Sequence, residues 1–246
     1  MGRIFEVRKA TMFARWDRMA KQFSRIGKEI AIAVKAGGPE PSINPALRRC
    51  IQNAKSVNMP KDRIDAAIKR AQGKEMENYE EILYEGYGPH SVAILVETAT
   101  DNHVRTVANV KSHFNKGGGT LSNSGSVSFQ FKKMGVFKLK PEGLNIDELE
   151  FELIDFGLEE MGESTDDNGN AQHPADKIIV LRSAFNDFGK MQKALEDKGI
   201  TPVSAELEWI PTTAVPVNDA EAEDVSKLLE RLEQDEDVSK VFHNMG

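Results

Sequence analysis

Arg48, Arg49, Lys55, Lys61, Arg63, Lys69 and Arg70 crowd the stretch from Asn44 to Gly73. Cations in this pattern are poor proton-transfer groups at neutral pH. What they do well is hold oxyanions: Arg as a planar fork, Lys as a compact point charge. Arg8, Lys9, Arg15, Arg18, Lys21, Arg25 and Lys28 extend the run toward the N-terminus. Residues 1–75 hold 17 Lys+Arg and 7 Asp+Glu, a net of +10. Residues 76–246 hold 15 basic and 32 acidic residues, a net of −17. A basic module on an acidic body is the footprint of a polyanion binder. The plainer reading is that the two signs attract each other inside the fold.

Other chemistry has weaker support in the residues. Gly117-Gly118-Gly119 follows a helical pattern and lacks the Gly-Lys-Ser/Thr ending of a phosphate loop, so it reads as a helix stop. Gly86-Tyr87-Gly88 starts a dinucleotide-like string that ends on Ser91 before a strand, which reads as a turn. Asp166-Asp167-Asn168-Gly169-Asn170 has calcium-loop composition, but Lys177 stands where the twelfth-position Glu is needed, so it too reads as a turn. His90, His103, His113, His173 and His243 form no metal-ligand pair. Cys50 is the only cysteine, which excludes an internal disulfide and suits a reducing, cytoplasmic setting. The first residues lack an apolar h-region and a small-residue cleavage site, so no secretory signal is expected, and no apolar run approaches the ~20 residues a membrane span needs. The expectation is a non-enzyme with no cofactor, no metal and no small-molecule substrate.

The elements that position the cations follow from periodicity. Residues 1–11 read as an arm or frayed start. Phe13, Trp16, Ala20, Phe23, Ile26, Ile30 and Val34 line one face of a helix from Met12 to about Ala36, with Gly37-Gly38-Pro39 as its stop. Asn44-Pro45 is a cap followed by a first-turn proline. Leu47, Ile51 and Ala54 line one face, and Asn58-Met59-Pro60 breaks the helix. Ile64, Ala67, Ile68 and Ala71 line a third helix stopped at Gly73. Beyond residue 78 the pattern alternates strands and helices. Strands are expected near Tyr79–Tyr87, Ser91–Thr98, Val127–Phe131, Val136–Leu139, Glu159–Glu163, Lys177–Arg182, Val203–Trp209 and Val238–Phe242. Helices are expected over Asn102–Asn115 (apolar at Val104, Val107, Val110 and Phe114), Ile146–Phe156, Ala184–Lys198 and Ala220–Gln234. The fold class is α+β: a three-helix domain, then two ferredoxin-like units with helices over one face of an antiparallel sheet. Asp101 or Asn102 caps a helix, and Arg105 and Lys111 are secondary candidates for contact with a ligand.

The stretch NPALRRCIQNAKSVNMPKDRIDAAIKRAQG closely resembles the signature of the YebC/PmpR family. KAGGPEPSINP, YEGYGPHSVAILVETATDN, NVKSHFNKGGGTL and SVSFQF support the likeness in order along nearly the whole chain. The resemblance implies three domains: 1–78, a discontinuous domain of 79–130 plus 206–246, and an inserted domain of 131–205. It implies a cytoplasmic DNA-binding transcriptional regulator without catalytic residues. The alternative is a translation factor that binds the ribosome and assists difficult sequences such as proline runs; mitochondrial relatives are translational activators. The family's GHSKW-type opening is absent here, where the chain reads GRIFEVRKATMFARW. The nearest candidates for reading bases are Gln52 and Asn53. An adaptor whose basic surface meets an acidic protein is a third reading.

Overall fold

The computed structural model describes residues 3–73, 78–165 and 177–246, with the side chains of residues 3–18 and of Thr165 outside the description. The chain divides into two compact units, Met1–Val127 with Val215–Gly246, and Ser128–Ala214. No described helix is long and apolar enough to cross a membrane.

The first unit opens with helices α1 (Arg3–Gly37), α2 (Pro45–Ser56) and α3 (Lys61–Ala71). Ile26, Ile30, Ala33, Val34, Leu47, Ala54, Ile64 and Ala67 share one core, with Phe23, Ile51 and Ile68 packed on it. Two expectations change here. Helix α1 runs back to Arg3, so its first turns are not an arm. Ala20 is exposed, so the expected apolar stripe enters the core at Phe23. The Phe13 and Trp16 side chains lie outside the described residues.

Strands β1 (Glu80–Tyr87) and β2 (Ala93–Thr100) form a hairpin, registered from Glu80 opposite Thr100 to Tyr87 opposite Ala93. The turn sits at 88–91, where His90 and Ser91 take positive φ, while Gly86 and Tyr87 belong to the strand. Helix α4 (His103–Lys116) and the short strand β3 (Thr120–Ser122) follow. After the second unit, α7 (Asp219–Glu233) and β8 (Val238–His243) complete a sheet of order β3-β1-β2-β8, antiparallel throughout. Both α4 and α7 cover one face, burying Ile94, Val96, Val110, Phe114, Val225 and Leu228. Gly119 must be a glycine, because a Cβ there would lie 2.6 Å from the Tyr87 carbonyl.

The second unit is β4 (Phe131–Leu139), α5 (Ile146–Leu153), β5 (Leu158–Thr165), β6 (Lys177–Ala184), α6 (Phe188–Asp197) and β7 (Ser204–Pro211). The βαββαβ order and the sheet order β5-β6-β4-β7, antiparallel throughout, are the ferredoxin-like arrangement. Phe137, Leu139, Ile179 and Leu181 meet Leu149, Leu153, Met191 and Leu195 of the helices. The expected strand Val127–Phe131 does not form. Residues Ser128–Gln130 make a 3₁₀ turn, and the Val127 N–H is satisfied by the Glu85 carboxylate at 2.8 Å instead of a ladder. The expected return at Glu206 also shifts, because β7 pairs with β4 over its whole length and the chain rejoins the first unit at Val215. The expected turn Asp166–Asn170 and His173 lie outside the described residues.

Candidate nucleic-acid interface

Asn44 sets the geometry of the basic stretch. Its side-chain oxygen accepts from Leu47 N at 3.0 Å and caps α2, with Pro45 next in the first turn. Its amide nitrogen donates to the carbonyls of Ala33 and Gly38, both at 2.8 Å, and so ties the end of α1 to the start of α2. Gly38, at φ +84°, makes the turn. The break between α2 and α3 is Asn58 at φ +58° followed by Met59-Pro60.

On this frame Lys55, Lys61, Arg63, Lys69 and Arg70 are exposed, and none of the five is ion-paired among the described residues. The exposed carboxylates of α3, Asp62 and Asp65, are outnumbered by them. Arg63 and Arg70 stand seven residues apart on one edge of α3 and line a cleft against α1 with Phe23 and Tyr79. Arg48 is half-buried and donates to the Pro41 and Ser42 carbonyls at 3.2 and 3.3 Å, bracing the loop before α2. Arg49 and Lys21 are half-buried as well. Cys50 lies beneath this surface, 3% exposed, and burial pushes its thiol up to about 12, so it is inert.

Two expected ligand contacts are committed elsewhere. Lys28 Nζ donates to the carbonyls of Ala99 (2.9 Å) and Glu236 (2.7 Å) and to Asp237 Oδ1 (3.0 Å), which uses all three of its donors. Arg25 donates to the Glu233 carbonyl at 2.6 Å. For these two cations the plainer reading holds: the basic module and the acidic part of its own unit attract each other. The side chains of Arg8, Lys9, Arg15 and Arg18 lie outside the described residues.

Asp237 is the residue that sequence reasoning missed. Beside Lys28 it accepts from Arg105 Nη2 at 2.8 Å and Thr106 Oγ1 at 2.8 Å, with its side chain only 6% exposed. Burial opposes its ionisation, but the hydrogen bonds from Arg105, Lys28 and Thr106 outweigh that and hold its carboxyl below the usual range. Hydrogen bonds to Asp237 first and Asp101 second push the Arg105 guanidinium further up. Arg105 therefore anchors protein, although its side chain remains about half exposed. Asn102 caps α4 by accepting from Arg105 N at 3.1 Å. Lys111 is exposed on the outer side of α4, as are Val104 and Val107, contrary to their expected place in the core. Nothing local marks Asp237 within Gln234-Asp-Glu-Asp-Val238, which reads as a solvated charge run.

Asn53 is buried at 8% exposure and cannot reach a base edge, and Gln52 beside it is half-buried. His90 faces Asp224 at 3.4 Å and Glu221 at 3.7 Å, and His113 faces Asp235 at 3.0 Å; no group of three or more His, Cys, Asp or Glu among the described residues is placed to hold a metal ion.

The same organisation recurs in known proteins. A probable transcriptional regulatory protein of Anaeromyxobacter dehalogenans strain 2CP-1 is 58% identical over the whole of both chains. Another, from Myxococcus xanthus strain DK1622, is also 58% identical with full coverage of both. The crystal structure of a conserved hypothetical protein from Aquifex aeolicus matches with a TM-score of 0.76 at 34% identity, covering 92% of this chain and 90% of that one. Residues 3–74 match the family described as the TACO1/YebC protein N-terminal domain, and residues 79–245 match the one described as the TACO1/YebC second and third domain. With both matches spanning nearly every residue, the chain belongs to the TACO1/YebC family.

Proposed function

We propose that this chain is a non-enzymatic regulator of gene expression whose helical module holds the phosphate backbone of a nucleic acid. The observation that carries the reading is the set Lys55, Lys61, Arg63, Lys69 and Arg70, exposed and without ion-pair partners among the described residues, on a module where Arg25 and Lys28 are satisfied by protein. Such cations gain binding energy by releasing counterions from phosphates. The names of the relatives, probable transcriptional regulatory proteins, support regulation as the outcome. A cytoplasmic location suits the single reduced cysteine.

A second reading, ribosome or ribosomal RNA as the target, is favoured by one observation. The burial of Asn53 removes one of the two expected base readers, which supports recognition through backbone and shape. Titrating the full chain with duplex DNA, structured RNA and purified ribosomes over a range of salt tests both. The proposal expects salt-dependent binding to at least one of the three. Tighter binding to ribosomes or structured RNA than to duplex at equal salt selects the translation role. Failure to bind any of them at about 50 mM salt sinks the proposal.

A further inference from the structure

The second unit carries a surface that its own core does not explain. Helix α5 buries Leu149 and Leu153, yet Phe151 is 78% exposed. Ile154 (56%) and Phe156 (38%) continue the apolar exposure into the 3₁₀ turn that follows. Ala184 N donates to the Gly157 carbonyl at 3.1 Å, which brings exposed Phe185 to the end of the same run. A single exposed hydrophobe is ordinary; a contiguous set with a polar rim marks a contact surface.

The rim beside Phe151 and Ile154 is predominantly acidic, while Lys133 stands over the Phe185 ring at 5.6 Å. Asp147 and Asp155 stand one helical turn on either side of Phe151, and Glu150 stands one turn before Ile154. All three are exposed and make no ion pair among the described residues. Glu152 is already paired with Lys198, and Glu148 accepts from the Asn145 amide. From residue 141 to residue 176 the sequence has 12 Asp+Glu and no Lys or Arg.

We propose that this face docks a Lys/Arg-rich segment of a partner protein, which seats an aliphatic or aromatic anchor against Phe151 and Ile154. The charge decides the occupant. Nucleic acid and anionic membrane are repelled by an acidic rim. A second copy presenting the same face would set carboxylates against carboxylates, as a two-fold interface requires. A basic segment removes the rim's unbalanced charge while its anchor covers the apolar centre. The inference is independent of what the helical module binds.

The test uses the full chain and a fluorescein-labelled synthetic peptide with Lys and Leu at helical spacing, followed by anisotropy. Matching peptides with Leu replaced by Ser, or Lys replaced by Glu, serve as comparators. The Lys/Leu peptide binds, the Lys/Ser peptide binds more weakly, and the Glu/Leu peptide does not bind. In Phe151→Ser/Ile154→Ser, affinity for the Lys/Leu peptide falls about tenfold with little change in salt dependence. In Asp147→Asn/Glu150→Gln/Asp155→Asn, the salt dependence flattens. The peptide also slows amide exchange over residues 146–156, a readout that needs no variant. Equal binding to parent and both variants without that protection, or equal binding of the Glu/Leu peptide, overturns the proposal. So does a dimer in sedimentation that Phe151→Ser/Ile154→Ser dissolves, because the occupant is then a second copy.

Discussion

Asp237 gathers donors from α1 and α4, elements far from it in sequence, onto one carboxylate. Lys28, Arg105 and Thr106 all reach it, and Thr106, whose single hydroxyl proton goes to the carboxylate, accepts from the Thr100 hydroxyl at 2.7 Å. Removing one partner of a buried pair leaves the other desolvated without compensation. Asp237→Asn is therefore expected to lower stability by about 3 kcal/mol, at the low end for such pairs because Arg105 keeps contact with water. The pH dependence has a definite sign. The folded pKa lies below the unfolded value of about 3.9, so the stabilisation is fully present above that value and is lost as pH falls through the folded pKa. Urea unfolding of parent and variant should differ most near neutral pH and converge below about pH 4. A difference that stays constant through the acid range rules out ionisation of Asp237 as the source.

Each helix of the basic module depends on how its ends are closed. Asn44→Ala removes the cap of α2 and strips the amide donor from the Ala33 and Gly38 carbonyls. The expected loss is about 2 kcal/mol, roughly half of it from the cap. Asn44→Ser restores a capping oxygen without the amide, and should recover about 1 kcal/mol of that loss in chemical denaturation. Equal stability of all three chains would show that the loop is held by Arg48 alone. Features closed locally were legible in the sequence: the caps at Asn44 and Asn102, the stops at Gly38 and Gly117, and the break at Pro60. Features set by distant partners were not. Nothing near Arg3 shows that α1 starts there, and Val127, Phe129 and Phe131 alternate without forming a strand because a carboxylate on β1 takes the Val127 N–H. The cations were legible as a set, but their division was not. The acceptors of Arg25 and Lys28 lie on Ala99 and on residues 233–237, at a separation of 208 positions for Arg25 to Glu233.

For the molecule as a whole, the separation of +10 from −17 makes a testable electrostatic statement. If phosphates contact the outward cations, each contact adds about 0.9 to the slope of log affinity against log salt on duplex DNA. Lys61→Gln/Lys69→Gln/Arg70→Gln should therefore flatten that slope by about 2 to 3. It should do so with little loss of stability, because all three side chains are exposed and none is ion-paired among the described residues. Lys28→Met is the matched control. Its three donors are held by Ala99, Glu236 and Asp237, so it should lower stability and leave the slope unchanged. The two variants separate a cation that meets phosphate from one that holds the fold, which net charge alone cannot do. An unchanged slope in the triple variant, with binding intact, moves the contact off α3. The surfaces then to be tested are Lys111 on α4 and the first turns of α1, with Arg8, Lys9, Arg15 and Arg18. A slope that falls as much in Lys28→Met as in the triple variant would mean that the docked position of the helical module, and not its exposed charge, governs binding.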